Sequence, residues 1–150
     1  NIIPGLNENE PFYVDWIKPT PGSRTKYFEP EALHDLIMQF KDLGLPIVIT
    51  ENGLSDGDDK FREEFIVIHL KAIHDAIRDG ANVIGYQYWA LTDTWEWDGN
   101  FSQMGLIKIN QENGSLDRSL RPSASTYAEI IKTKKITKEL QEKHKELLPK

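Results

Sequence analysis

The chain has 150 residues, of which 39% are hydrophobic and 10% are aromatic, and this composition is sufficient for one packed domain. Its formal net charge is −6, and its basic residues are scattered except for Lys132 to Lys135, so no nucleic acid partner is expected. No apolar stretch reaches the roughly 20 residues of a membrane span, and the first residues lack the build of a signal peptide, so no membrane partner is expected either. Because the chain has no cysteine, a cytoplasmic location is the default expectation.

The first third of the chain predicts an irregular segment, then a helix and a strand. Four prolines fall within residues 1–28, and we expect irregular structure there. Pro30 then opens a helix whose apolar residues recur at helical spacing, and Gly44 ends it. The β-branched run Ile47 to Ile49 predicts a strand that is covered on both faces.

A second helix and a second strand follow at short intervals. The helical pattern runs from about Phe61 to Asp79 and is ended by Gly80, and the segment Val83 to Leu91 predicts the next strand. The order helix, strand, helix, strand with short connections indicates parallel strands joined by crossover helices, which is an α/β fold.

The last part of the chain begins with a long aromatic and acidic loop, residues 92–103. A short strand in the segment GLIKIN, a turn at Asn113 and Gly114, and a helix that starts at Pro122 follow this loop. The tail, residues 132–150, is highly charged and has few apolar positions. We therefore expect a solvated helix or a frayed end there rather than a binding element.

The candidate catalytic and binding residues lie at the carboxyl ends of the two predicted strands, which is the end that binds ligands in α/β folds. Glu51 ends the first strand. Tryptophans and carboxylates alternate at or just beyond the end of the second strand, at Trp89, Asp93, Trp95, Glu96 and Trp97. Indoles stack on the apolar face of a sugar, carboxylates bind its hydroxyl groups, and a carboxylate beneath an anomeric carbon can attack that carbon. An isolated strand-end glutamate is nevertheless more often a salt-bridged structural residue.

Three motifs occur in order along the chain: ITENG at residues 49–53, GYQYWALTDTWEW at residues 85–97 and RPSASTYAEII at residues 121–131. Together they resemble the C-terminal third of glycoside hydrolase family 1, the family of β-glucosidases and β-galactosidases, over roughly residues 29–131. The resemblance implies a (β/α)8 barrel, of which this chain would supply about the seventh and eighth strands with their helices.

The resemblance also implies roles for individual residues. Glu51 resembles the nucleophile of a retaining β-glycosidase, which forms a covalent glycosyl-enzyme intermediate. Trp89 matches an indole platform under the sugar, Glu96 a carboxylate that holds its outer hydroxyls, and Trp97 an indole whose N–H reaches a neighbouring hydroxyl. The implied substrate is a β-glycoside or oligosaccharide, and neither a cofactor nor a metal is expected.

Two positions depart from the family pattern. Thr94 stands where the family has an amide. Met104 stands where the family has an aromatic residue before Gly-Leu, and this change is expected to remove a wall from the sugar pocket. Both departures concern the preferred sugar rather than the class of reaction.

A retaining glycosidase needs a second carboxylate about 5 Å from the nucleophile, and the family carries it in an Asn-Glu-Pro motif on the fourth strand. The chain contains Asn9-Glu10-Pro11, but Glu10 lies only 41 positions before Glu51. Three strand–helix units of about 25 to 30 residues each do not fit in that interval, so Glu10 is expected to be a loop glutamate. We therefore expect that the acid/base residue lies in a missing N-terminal part of the barrel, which this chain needs as a partner.

Two further patterns suggest metal binding only weakly. The acidic segment at residues 55–59 lacks the ligand spacing of an EF-hand and is expected to be a solvated loop. His69 and His74 are five positions apart and do not share a helical face as zinc ligands would. We therefore expect His69 in the core and His74 at the surface.

Two alternatives to an enzyme segment remain open from the sequence. One is a truncated, non-catalytic relic or interaction fragment that keeps the sugar-site motifs without turnover. The other is a standalone lectin-like sugar binder, which is disfavoured because two parallel strands leave sheet edges unpaired and an apolar helix face uncovered.

Overall fold

The computed structural model describes residues 28–97, 99–111 and 114–146. Its helices are α1 (Pro30–Lys41), α2 (Arg62–Arg78), α3 (Pro122–Thr133) and α4 (Lys138–Lys143). Its strands are β1 (Ile47–Asn52), β2 (Val83–Tyr88), β3 (Thr94–Trp95), β4 (Phe101–Ser102), β5 (Ile107–Ile109) and β6 (Arg118–Leu120). The helices predicted to start near residues 30, 61 and 122 and the strands predicted near residues 47 and 83 are confirmed. Glu10 and all but the last residue of the segment 1–28 lie outside the described residues.

β1 and β2 form a parallel two-stranded sheet, as the order of elements predicts. Helices α1 and α2 cover one of its faces. The sheet and these helices share an apolar cluster that includes Ile37, Ile47, Ile49, Ile73 and Val83. The other face is open among the described residues, because Val48 and Ile84 are 45% and 65% exposed. The prediction that β1 is covered on both faces is therefore wrong for this part of the chain, in which only one helical layer packs on the sheet.

A second apolar cluster joins α2, β2 and α3. Its buried members are Phe28, Phe65, Ile66, Val67, Ile68, Tyr88, Leu106 and Ile130. Tyr127 of α3 contacts both Tyr86 and Tyr88, with ring centroids 6.2 and 6.1 Å apart. Helix α3 therefore supports the carboxyl-terminal half of β2.

β2 ends three residues earlier than predicted because the chain then pairs with a later segment. Ala90 N donates to Met104 O, and Leu106 N donates back to Ala90 O. β5 continues from this segment and forms an antiparallel hairpin with β6. The sequence does not predict β6, since all three of its residues are exposed and give no apolar alternation.

The tail packs against the rest of the chain, which corrects the expectation of a solvated or frayed end. Ile136 and Leu140 contact the second apolar cluster, and His144 is buried. Lys143 and His144 both bond to the Glu63 carboxylate at the start of α2. Burial alone would raise the pKa of Glu63, but the hydrogen bonds from Lys143, His144 and a hydroxyl of α3 outweigh this effect and lower the pKa to about 2. The charged tail therefore docks by ion pairing as well as by apolar contact.

The described residues thus form part of an α/β fold. They contain three two-stranded sheets and do not close into a barrel. Within these ranges no helix combines the length and apolar character that crossing a bilayer requires.

Candidate active site

Glu51 is the next to last residue of β1, and its side chain is exposed at the carboxyl end of the strand. Its neighbour Asn52 is half-buried and is bonded twice. Tyr86 Oη donates to Asn52 Oδ1 at 3.0 Å, and Trp89 N donates to Asn52 O at 3.1 Å. These bonds fix the end of β1 and leave the Glu51 carboxylate accessible to a ligand.

Trp89 directly follows β2 and is 39% exposed. Because its backbone N–H bonds to Asn52 O, Trp89 and Glu51 stand at the same edge of the parallel pair. Gly53 allows this close approach, since a Cβ at that position would lie 1.6 Å from Trp89 O. Glu51 and Trp89 therefore lie at the carboxyl ends of adjacent strands.

The tryptophans and the glutamate further along the motif lie in a short hairpin. β3 and β4 pair antiparallel, and the Trp95 ring packs edge-on against Phe101 at 5.5 Å. Glu96 N donates to Asn100 O at 2.8 Å across the turn, and Trp97 is fully exposed. Glu96 is half-buried, and its Oε1 is buried with no hydrogen-bond partner among the described residues. A buried carboxylate oxygen is costly to leave unbonded, so this atom is suited to accept a hydrogen bond from a ligand hydroxyl.

Asp93 belongs to the same sequence motif but serves a structural role. It is 2% exposed, and its carboxylate accepts from Gly105 N at 2.9 Å and Ile109 N at 3.1 Å. The Arg121 guanidinium donates to both carboxylate oxygens, at 2.7 and 3.0 Å. Asp93 ties the segment after β2 to β5 and to the start of α3, so it is not available to bind a sugar.

The acidic segment at residues 55–59 is structured, which corrects the expectation of a merely solvated loop. Asp56 Oδ2 accepts from two backbone N–H groups at the start of α2, one of them that of Arg62. The fully buried Arg62 side chain donates to the Tyr88 hydroxyl at 3.0 Å and to the Asp59 carboxylate. Sequence reasoning missed this network. The available signal is an Asp-rich loop that runs directly into an arginine at the first position of a helix.

The two departures from the family pattern lie in different surroundings. Thr94 is half-buried, and its hydroxyl donates to Trp95 O at 3.4 Å. Met104 is 4% exposed, and its carbonyl accepts from Ala90 N and from the Tyr88 hydroxyl. The side chain of Met104 is thus buried among the described residues, and the expectation that it leaves the sugar pocket without an aromatic wall stays a prediction.

The two histidines of α2 lie where the sequence predicts. His69 is buried and stacks on Phe65, with ring centroids 3.8 Å apart, whereas His74 is exposed. Burial lowers the pKa of His69 to about 4, although its bond to Phe65 O acts in the opposite direction, so the ring is neutral near pH 7. In the described ranges, no group of three or more His, Cys, Asp or Glu side chains is arranged to hold a metal ion.

Glu51 and Trp89 thus lie at the ends of two adjacent parallel strands, and the hairpin further along the second motif carries Glu96 and two more indoles. Carboxylates and indoles at the carboxyl edge of an α/β sheet are the kinds of group that bind carbohydrates.

Comparison with known proteins shows the family of the chain. Residues 7–136 match Glycosyl hydrolase family 1, and the chain belongs to that family. A chloroplastic β-glucosidase-like protein of Oryza sativa subsp. japonica is 40% identical over 115 residues, which are 73% of this chain and 18% of that protein. A β-galactosidase of Sulfolobus acidocaldarius is 37% identical over 116 residues, which are 76% of this chain and 23% of that protein.

The fold is similar to that of solved glycosidases. The crystal structure of a hyperthermophilic β-glucosidase from Pyrococcus furiosus matches with a TM-score of 0.74 and 38% identity, over 81% of this chain and 26% of that one. The chain therefore spans 18% of the rice protein, 23% of the Sulfolobus protein and 26% of the Pyrococcus chain.

Proposed function

We propose that this chain is the C-terminal portion of a retaining β-glycosidase that hydrolyses β-linked hexosides and is built on a (β/α)8 barrel. In this proposal β1 and β2 correspond roughly to the seventh and eighth strands of the barrel. The other strands of the barrel would cover the open face and the edges of this two-stranded sheet. One observation carries the proposal: in a member of this family, the Glu51 carboxylate is exposed at the end of β1, beside Trp89 at the end of the adjacent β2.

Glu51 is the nucleophile in the proposed reaction. Its carboxylate attacks the anomeric carbon, and the bond from that carbon to the leaving oxygen breaks as a second carboxylic acid protonates the oxygen. The same second group then takes a proton from water, which attacks the anomeric carbon and releases Glu51. Two displacements give a product with the β configuration of the substrate.

Trp89, Glu96 and Trp97 bind the sugar that is transferred to Glu51. The indole of Trp89 stacks on the apolar face of the ring, and the exposed Trp97 donates its indole N–H to a hydroxyl. Glu96 accepts from two outer hydroxyls, which gives a partner to the buried Oε1. Each such charge-assisted hydrogen bond contributes about 1.5 to 3 kcal/mol.

The proposal requires an N-terminal part of the barrel. A (β/α)8 barrel takes about 250 residues, and the acid/base carboxylate lies on one of the strands that such a part would supply. "Complete enzyme" below means this chain continuous with an N-terminal part that provides those strands.

The test is to assay the complete enzyme on a panel of aryl β-glycosides, beside Glu51→Gln. We expect hydrolysis with retention, and a loss of turnover of at least about a thousandfold in the variant. A 2-deoxy-2-fluoro glycoside traps the glycosyl-enzyme, so peptide mapping should find the label on Glu51. Glu129→Gln, at an exposed position of α3, is the matched control and should keep activity. A label on another residue, or near-full activity of Glu51→Gln, would contradict the assignment.

A truncated, non-catalytic relic or interaction fragment is the alternative. It would keep the sugar-site motifs without turnover. The gene distinguishes the two proposals, because an enzyme needs coding sequence for five or six further strand–helix units upstream of this chain. Absence of such sequence, together with an inactive product, would favour the relic.

A further inference from the structure

The β1–β2 register is irregular in two places, between Ile47 and Val48 and between Ile49 and Asn52, and the second interval contains Glu51. Ile49 pairs with Tyr86, and Asn52 pairs with Tyr88. Three steps along β1 therefore correspond to two steps along β2, so β1 carries one extra residue in this interval. An extra residue of this kind is a β-bulge, and it changes the face to which neighbouring side chains point.

The bulge decides which face of the sheet carries Glu51. In a regular strand the side chains alternate, so Glu51 would share the face of Ile47 and Ile49, which pack against the helical layer. In the structure Thr50 and Glu51 are both exposed, and Asn52 is half-buried again. The carboxylate therefore lies on the open face of the sheet, where a substrate can reach it.

Asn52 and Tyr86 hold this bulge. The Tyr86 ring packs against both apolar clusters on the helical side of the sheet, and its hydroxyl donates to Asn52 Oδ1 at 3.0 Å. The Asn52 carbonyl accepts from Trp89 N at 3.1 Å. Because Asn52 is bonded through both its side chain and its backbone, the strand cannot return to a regular register without breaking both bonds.

We propose that Asn52 and Tyr86 are positioning residues for Glu51. This inference rests on the proposed function, in which the Glu51 carboxylate attacks the substrate. The two residues act from the helical side of the sheet, through the bulge, and not by contact with the sugar. A displacement of about 1 Å in a reacting group can cost about a hundredfold in rate, so their loss should lower kcat while the binding contacts stay in place.

The test is a double-mutant cycle of Tyr86→Phe and Asn52→Ala in the complete enzyme. Each single variant should lower kcat about ten- to a hundredfold, with KM changed less than about twofold because the sugar contacts are intact. The rate at which a fluorosugar labels Glu51 should fall by the same factor as kcat. If the Tyr86 hydroxyl acts through Asn52, the double variant should be no slower than the slower single variant.

Ile37→Val is the stability control. It removes a methylene from the apolar cluster that Tyr86 contacts, but it does not touch the bulge. Ile37→Val should lose about as much thermal stability as Tyr86→Phe, but it should keep the wild-type kcat. Equal kcat losses in Ile37→Val and Tyr86→Phe, or effects that multiply in the double variant, would overturn the inference.

A crystal structure of Tyr86→Phe gives a readout that does not depend on turnover. We expect residues 50–52 to shift and the Glu51 carboxylate to leave its wild-type position. An unchanged bulge would overturn the inference. An inactive wild-type enzyme would contradict the proposed function alone, and the structure of the variant would still decide the role of Tyr86.

Discussion

Removal of the Asp93 carboxylate should destabilise the segment that carries the candidate site. Asp93 and Arg121 are 2% and 4% exposed, and the carboxylate also accepts from two backbone N–H groups. Asp93→Ala would leave the buried guanidinium without its counter-ion and both N–H groups without an acceptor. Loss of one partner of a buried ion pair typically costs about 3 to 5 kcal/mol. The total free energy of unfolding of a typical domain is only about 5 to 15 kcal/mol, so this loss is a large fraction of it.

The assay is amide hydrogen exchange in the complete enzyme, read on peptides that contain Leu106 and Ile107. The amides of these residues donate to Ala90 O and Leu91 O, so they stay bonded in the variant and report opening of the segment. If the whole loss of about 3 to 5 kcal/mol falls on the free energy of local opening of this segment, its amides should exchange about two to four orders of magnitude faster.

Two variants bracket this result. Asp93→Asn keeps one acceptor oxygen and the volume of the side chain, so its effect should be smaller than that of Asp93→Ala. Asp117→Ala, at an exposed position of the neighbouring hairpin, should exchange at the wild-type rate. If Asp93→Ala also exchanges within about threefold of wild type, the ion pair does not hold this segment, and the reasoning from burial is refuted.

Three further predictions concern sugar binding, the tail and the isolated chain. Glu96→Ala should lose more kcat/KM on glucosides than on substrates without the 6-hydroxyl, because it removes the acceptor for that group. Glu63→Gln should speed tryptic cleavage of the tail at pH 7, since it weakens the bonds to Lys143 and His144. Because the pKa of Glu63 is lowered to about 2 from an ordinary value of 4.5, the contribution of Glu63 to docking is fully present above pH 4.5 and is lost as the pH falls toward 2. The chain expressed alone should lack activity and a cooperative melt, and addition of the N-terminal part in trans should restore both.

Specific outcomes would contradict these three predictions. Equal losses of Glu96→Ala on both substrates would show that Glu96 does not read the 6-hydroxyl. The exposed Glu142→Gln is the control for the tail, and cleavage of Glu63→Gln at the rate of this control would show that Glu63 does not hold α4. Full activity and a cooperative melt of the chain alone would refute the need for a partner and would bring Glu10 back as the acid/base.

The sequence by itself determined the local elements and the family. The apolar spacing of α1 and α2, the β-branched run at Ile47 and the glycines after each helix are local signals, and local signals suffice to set helices, strands and their parallel order. The order of the three motifs indicated the family, and the apolar run before Glu51 indicated that this residue lies at the end of a strand. These features could be predicted because each depends on residues that are close together in the chain.

The tertiary structure decided which side chains are buried and which face each one occupies. Asp93 and Glu96 stand three positions apart in one motif, yet the first is buried against Arg121 and the second keeps a buried oxygen with no partner among the described residues. The docking of α4 on Glu63 joins residues about 80 positions apart. The bulge that turns Glu51 to the open face exists only in the register between two strands. Such features arise from contacts between distant segments, and the pattern of any single segment does not contain them.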